Sequence, residues 1–285
     1  EKVYDGSKDN LRETAVENAK NITNAMGTTL KSSLDVMGEL AAAGKQGQEL
    51  MDLTYQTQKL ATLGSVNQAD ALKGVIAVQN IYKLNTKEMA DAVNYLNIVE
   101  AQTPTGLQDL VDAIPIAGAQ VAQLGGNLQD TVILLTAFKE RGISTVEGSN
   151  GIKTAMNRII SPTRGAQELF EKLTNKSLPA LVKSTAGKPL ETFQLLSDTI
   201  MGSNLALTDQ QALITKLVGT YQSARITGLL NGLRETGGAV QKAKDINNDT
   251  PEEWAARSSR LLGTCRVVPA SRTHSTRNVC GQCLF

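Results

Sequence analysis

The residues whose types and spacing suggest chemistry fall in two places. At the C-terminal end stand Cys265, His274, Cys280 and Cys283. Cys280-Gly281-Gln282-Cys283 has the spacing of a zinc half-site, and with Cys265 and His274 a four-ligand set is present. The Cys265-to-His274 spacing matches no common zinc finger, and the segment is unlike the rest of the chain, so no metal ligand is assigned. The second place is Asp109 with Asp112, whose spacing puts both carboxylates on one face of a helix. Glycoside cleavage needs two carboxylates across a cleft, but capping or solvation of a helix accounts for this pair. The body of the chain has neither His nor Cys, which removes the usual general base and the thiol nucleophile. No catalytic residue, cofactor or metal is expected, and the chain does not read as an enzyme.

The elements around these residues are helical. The chain is 41% hydrophobic but only 4% aromatic, so its core must be built from Ala, Leu, Ile and Val. No alternating Val/Ile/Thr strand pattern persists, and the fold class is all-α: a multi-helix array of short helices preceded by a long N-terminal helix. The acidic residues all lie at or before Glu253, and the five arginines beyond it leave 24 basic against 28 acidic residues in the body. That balance, with no Lys/Arg cluster, argues against direct, sequence-specific nucleic-acid binding. No 18-residue apolar run occurs. Residues 113–122 and 131–138 are nevertheless apolar enough to insert into a membrane if unpacked, the alternative being core helices. Glu1 in place of an initiator Met reads as a fragment or processed product.

Residues 11–43 predict one long helix, with Ala15, Met26 and Met37, and also Ala19, Leu30 and Ala41, recurring eleven apart. Gly44 and Gly47 loosen it, and residues 50–63 resume it. Start signals follow, each a capping residue three before a carboxylate or amide: Asn85 with Glu88, Asn127 with Asp130, Ser144 with Glu147, Thr208 with Gln211, and Thr250 with Glu253. Prolines at 104, 115, 162, 179 and 189 limit helix length. Helices are predicted near 67–83, 87–101, 106–122, 128–140, 149–160, 164–173, 190–202, 209–219, 221–234 and 236–246. The organisation expected is a long N-terminal helix over 1–54, able to serve as an oligomer seam, a helical core over 55–250, and an irregular tail over 251–285, disordered or out of frame.

The middle of the chain resembles the core of phage tail tape measure proteins, the phage minor tail family. The likeness runs through Lys59-Leu60-Ala61-Thr62-Leu63, Asn67-Gln68-Ala69-Asp70-Ala71-Leu72 and Ala90-Asp91-Ala92-Val93-Asn94-Tyr95-Leu96. It is closest from Ala117-Gly118-Ala119-Gln120-Val121-Ala122 through Leu128-Gln129-Asp130-Thr131-Val132-Ile133 to Gly151-Ile152-Lys153-Thr154-Ala155-Met156, and continues in Leu217-Val218-Gly219-Thr220-Tyr221. Val218 stands where an aromatic residue is common in relatives. The order and spacing of these Gly/Ala/Leu-rich stretches, over residues 55–250, carry the resemblance.

What the resemblance implies is structural work: tail assembly, tail length determination and genome ejection. It implies as partners the tail tube protein, tail assembly chaperones and tail tip proteins, self-association as a homo-oligomer, and host membrane contact during ejection. It places the protein in the lumen of the virion tail, and in the host cytoplasm during assembly. The readings from other classes are a membrane-active module and a generic helical scaffold without catalytic activity.

Overall fold

A computed structural model describes residues 8–266. Its helices, in order, are α1 (Lys8–Met26), α2 (Leu30–Ala42), α3 (Gly47–Leu63), α4 (Gln68–Tyr82), α5 (Thr86–Gln102), α6 (Leu107–Gln123), α7 (Leu128–Glu140) and α8 (Thr145–Ile160). Then come α9 (Arg164–Thr174), α10 (Leu178–Ser184), α11 (Pro189–Met201), α12 (Leu207–Val218), α13 (Thr220–Arg234), α14 (Ala239–Asn248) and α15 (Pro251–Arg266). No strand occurs among the described residues, so the chain is all-α. Described residues up to Ala101, with those from Asp249 on, form one compact unit, and Gln102–Asn248 form a second. The division thus falls at 102 rather than near 54, and the segment from 249 returns to the first unit.

The first unit corrects the long N-terminal helix. Gly27 takes a φ of 69°, a left-handed conformation that ends α1, and the Thr29 hydroxyl accepts from the Ser32 N–H at 3.1 Å to start α2. The chain folds back, and the Thr23 and Ser33 hydroxyls meet at 3.1 Å. The eleven-residue recurrence therefore has another meaning. Ala15, Met26, Leu30 and Met37 do not line a rod but meet across the hairpin, in a cluster with Ala19, Ile22, Tyr55 and Leu262.

At the middle of this unit lies α3, packed by α1, α2, α4 and α15. Leu50, Leu53 and Leu60 are buried, and so are Thr54, Gln56, Thr57, Gln58 and Lys59. The Thr54 and Thr57 hydroxyls donate to the carbonyls of Leu50 and Leu53, one turn back, at 2.7 and 2.8 Å, so their burial leaves no unpaired donor. The irregular tail expected from 251 is also corrected: the backbone is helical through Arg266. The Thr250–Glu253 cap starts that helix, with the Thr250 N–H donating to Glu253 at 2.7 Å, and Trp254 buries its ring against Tyr95 at 5.2 Å. Residues 267–285, with His274, Cys280 and Cys283, lie outside the described residues.

In the second unit the middle is α7, wrapped by α6, α8, α11, α13 and α14. Every residue from Thr131 to Phe138 is buried. The two stretches apolar enough to insert into a membrane are thus interior helix faces: 131–138 of α7, and Ala113, Ile114, Ala117 and Val121 of α6. Among the described residues no helix is long and apolar enough to cross a membrane. Pro115 does not end α6 but sits on its exposed face.

Two close approaches set the packing on α7. Phe138 lies on Gly148 of α8, where a Cβ would come within 2.6 Å of the ring. The Ser144 cap singled out in the sequence starts α8 at Thr145, its hydroxyl accepting from the Glu147 N–H at 3.3 Å, so the helix begins before the 149 expected and runs through the glycine that Phe138 needs. The last residue of α7, Glu140, reaches the start of α14, accepting the Ala239 N–H at 2.6 Å and the Val240 N–H at 3.3 Å. Gly238 leaves room for it, since a Cβ there would fall 2.1 Å from the carboxylate. A carboxylate at the negative end of its own helix is thereby placed at the positive end of another.

Two further boundaries depart from expectation. α10 is too short for a periodic signal and starts on a Ser177 cap with Pro179 in its first turn. Thr208 is no cap, because α12 already begins at Leu207.

Two mid-helix glycines separate space from propensity. At Gly38 in α2 a Cβ would meet nothing within 4 Å, so Gly38→Ala is expected to stabilise by about 0.5–1 kcal/mol. Gly148→Ala must displace Phe138 and is expected to cost about 1–3 kcal/mol. Urea unfolding followed by circular dichroism measures both; shifts of the same sign would contradict the packing described.

Candidate functional site

The two acids singled out in the sequence are held apart from each other. Asp109 accepts from the Gly106 N–H at 3.3 Å, closing the start of α6, and pairs with Lys139 of α7 at 2.7 Å. Asp112 takes the Gln108 amide at 3.0 Å on the exposed face. One fastens α6 to α7 and the other decorates the surface. Of the zinc-type set, only the backbone of Cys265 falls within the described residues, near the end of α15.

The chemistry that the sequence did not single out lies inside the first unit. Lys59 of α3 is 6% exposed, and its ammonium donates to the Asn94 side-chain carbonyl on α5. Burial pushes this lysine down to about 8, because the charged form loses its hydration without gaining a carboxylate. One turn along α5, Asn97 is 2% exposed with neither its amide nitrogen nor its oxygen paired. Gln56, one turn before Lys59, is 8% exposed with its carbonyl unpaired. This is a polar seam in a helical interior, and each unpaired group in it opposes folding. The signal in the sequence was the placing of Gln56 and Lys59 between Leu53 and Leu60, at positions a helical core would give to apolar residues.

The second unit is dry by comparison and keeps its features on the surface. A groove of about 610 Å³ opens where the end of α8, the short α10 and the start of α11 meet. Its floor is apolar, with Met156, Ile159, Pro179 and Val182, and Ile160 stands at 43% exposure on its edge. Lys183 and Lys188 line it as well. The Lys188 ammonium is held by Glu191 at 2.8 Å. The groove is thus an apolar floor flanked by two ammonium groups, one of them already paired.

The buried lysine makes stability depend on pH in a stated direction. Its folded-state value of about 8 lies below the ordinary lysine value of about 10.4, so between the two the unfolded chain holds the extra proton. Stability contributed at this site is therefore expected to rise as pH climbs from 8 to about 10.4 and to be lowest below pH 8. Urea unfolding of the wild type and of Lys59→Met across that range measures it. The difference between the two proteins should shift in the wild type's favour with pH; a constant difference would refute the assignment.

Comparison with known proteins bears on what this assembly belongs to. No solved structure matches the chain. It is 20% identical over 251 residues to a protein named "Tape measure protein" of Pneumococcus phage Dp-1, an overlap covering 84% of this chain and 21% of that protein. The chain thus spans about a fifth of the length of that relative. The family model described as phage-related minor tail protein matches residues 17–244, which takes in both central helices, the polar seam and the groove. The chain belongs to the phage-related minor tail protein family.

Proposed function

We propose that this chain is a segment of a tape measure protein, acting without catalysis in tail assembly, tail length determination and genome ejection. The observation that carries the reading is the family match over residues 17–244, together with a relative named for the tape measure role. The fold is consistent with structural work, since Asp109 serves as a cap and an ion pair and Lys59 is sealed in a helical interior. On this reading the partners are the tail tube protein, tail assembly chaperones and tail tip proteins, and the site of action is the lumen of the virion tail. Host membrane contact during ejection belongs to the same proposal.

The role of these short helices is docking rather than ruling. A ruler gains about 1.5 Å per residue only where the helix runs on unbroken. Among the described residues the longest helix has 19 residues before the chain turns. In-frame removal of the segment corresponding to residues 102–248 from the phage gene tests the proposal, with tails viewed by negative-stain electron microscopy and infectivity counted. The expected result is loss of complete tails, or tails that fail to infect. Normal tails with normal infectivity would overturn it.

A further inference from the structure

We infer that the first unit binds internal water between α3 and α5, bonded to the Lys59 ammonium and to the side-chain amides of Gln56 and Asn97. The hydrogen bond from Lys59 to Asn94 ties the two helices at one level. Gln56 lies three residues before Lys59 on α3, and Asn97 three residues after Asn94 on α5. That spacing puts each amide on the helix face that carries the bond, about 4.5 Å from it along the axis. One water making two hydrogen bonds of about 2.8 Å spans such a step. All four side chains are more than nine-tenths buried. Thr54 and Thr57, buried on the same α3, satisfy themselves by bonding one turn back along the helix. The Gln56 carbonyl and both polar atoms of the Asn97 amide have no partner within the protein.

The unpaired atoms decide the chemistry of the ligand. An ammonium has three N–H groups, and Asn94 takes one of those on Lys59. Left over are the other N–H groups of Lys59, the amide nitrogen of Asn97, and the carbonyl oxygens of Gln56 and Asn97. An anion suits the ammonium but leaves both carbonyls without a donor. A metal cation suits the carbonyls but is repelled by the ammonium. Water accepts from the N–H groups and donates to the carbonyls, so it alone serves both. Turning the Asn97 amide over changes nothing, since its nitrogen and oxygen are both unpaired. Buried waters in proteins sit at such places, each making about three bonds to polar groups otherwise unsatisfied. Bound water also returns to Lys59 part of the hydration that burial removes, where its protein partner is an amide and not a carboxylate. The site is a property of the first unit and does not rest on the tail role.

The test uses the whole chain and counts long-lived internal water by deuterium magnetic relaxation dispersion. Asn97→Leu, checked for folding by circular dichroism, should lower the dispersion amplitude of the wild type by at least one water. Gln56→Met should lower it as well, whereas Tyr221→Ser, at an exposed position of the second unit, should not. The same amplitude in all four proteins, or the same loss in all three variants, overturns the inference. A second measurement needs no variant to fold. In the wild type the Asn97 side-chain amide protons should show nuclear Overhauser cross-peaks to water, with the sign that a bound molecule gives. Their absence overturns the inference equally. Chloride NMR linewidths in the same samples distinguish the anion. Broadening by the wild type that Asn97→Leu abolishes would assign a chloride site and overturn the water.

Discussion

Everything in this protein depends on a helix that is buried on all sides. A short helix with a single apolar stripe is not stable in water by itself, because its few hydrogen bonds do not offset the cost of nucleating it. It persists when that stripe faces something that water never reaches. In the second unit α7 is that surface: from Thr131 to Phe138 no residue is left for solvent, and α6, α8, α11, α13 and α14 each cover part of it. In the first unit α3 takes the same position. The low aromatic content follows from this arrangement, since helices that must crowd around one axis need small and aliphatic faces. Where a ring does enter, as Phe138 does, a neighbouring helix yields a glycine to it.

The two central helices solve the same problem with different chemistry. α7 is apolar along its buried run, apart from Thr131 and Thr136, and the latter's hydroxyl meets that of Thr105 at 3.3 Å. α3 carries Gln56, Gln58 and Lys59 inward and must find partners for them. Gln58 finds one in the Ser32 hydroxyl at 3.0 Å and Lys59 finds Asn94, whereas Gln56 and Asn97 are left with unpaired atoms. An interior of this kind is stable by a narrower margin than a dry one, yet it is more particular about register, because a shift of one turn strands an ammonium. Register in the first unit is thus guarded by polar partners, and in the second by the close approaches of Phe138 to Gly148 and of Glu140 to the start of α14.

Much of this was legible from the residues. Capping boxes at Asn85 and Asn127 located helix starts, and both form, with the Glu88 N–H reaching Asn85 at 3.0 Å and the Asp130 N–H reaching Asn127 at 2.8 Å. The long N-terminal helix failed because periodicity cannot distinguish residues that stack along a rod from residues that meet across a hairpin; Gly27 with Thr29 decided it. α8 was clipped because a glycine argues against a helix until the ring that needs the space is known. The polar seam escaped notice for a related reason. Threonine and glutamine read as surface residues, and only the fold reveals that threonine hydroxyls can turn back onto their own helix and be buried at little cost.

Glu140 links residues that are far apart in the chain, and this has a consequence in time. During synthesis α7 leaves the ribosome well before the partner of its last carboxylate, for Ala239 follows 99 residues later. At translation rates of about 5–20 residues per second, that interval lasts roughly 5–20 s. Through it one flank of α7 lacks the helix that will cover it, and the Glu140 carboxylate remains at the unfavourable end of its own helix. The second unit is closed by the last helix of its own stretch of chain. Anything that reaches that flank first competes not with solvent but with the protein's own unfinished sequence.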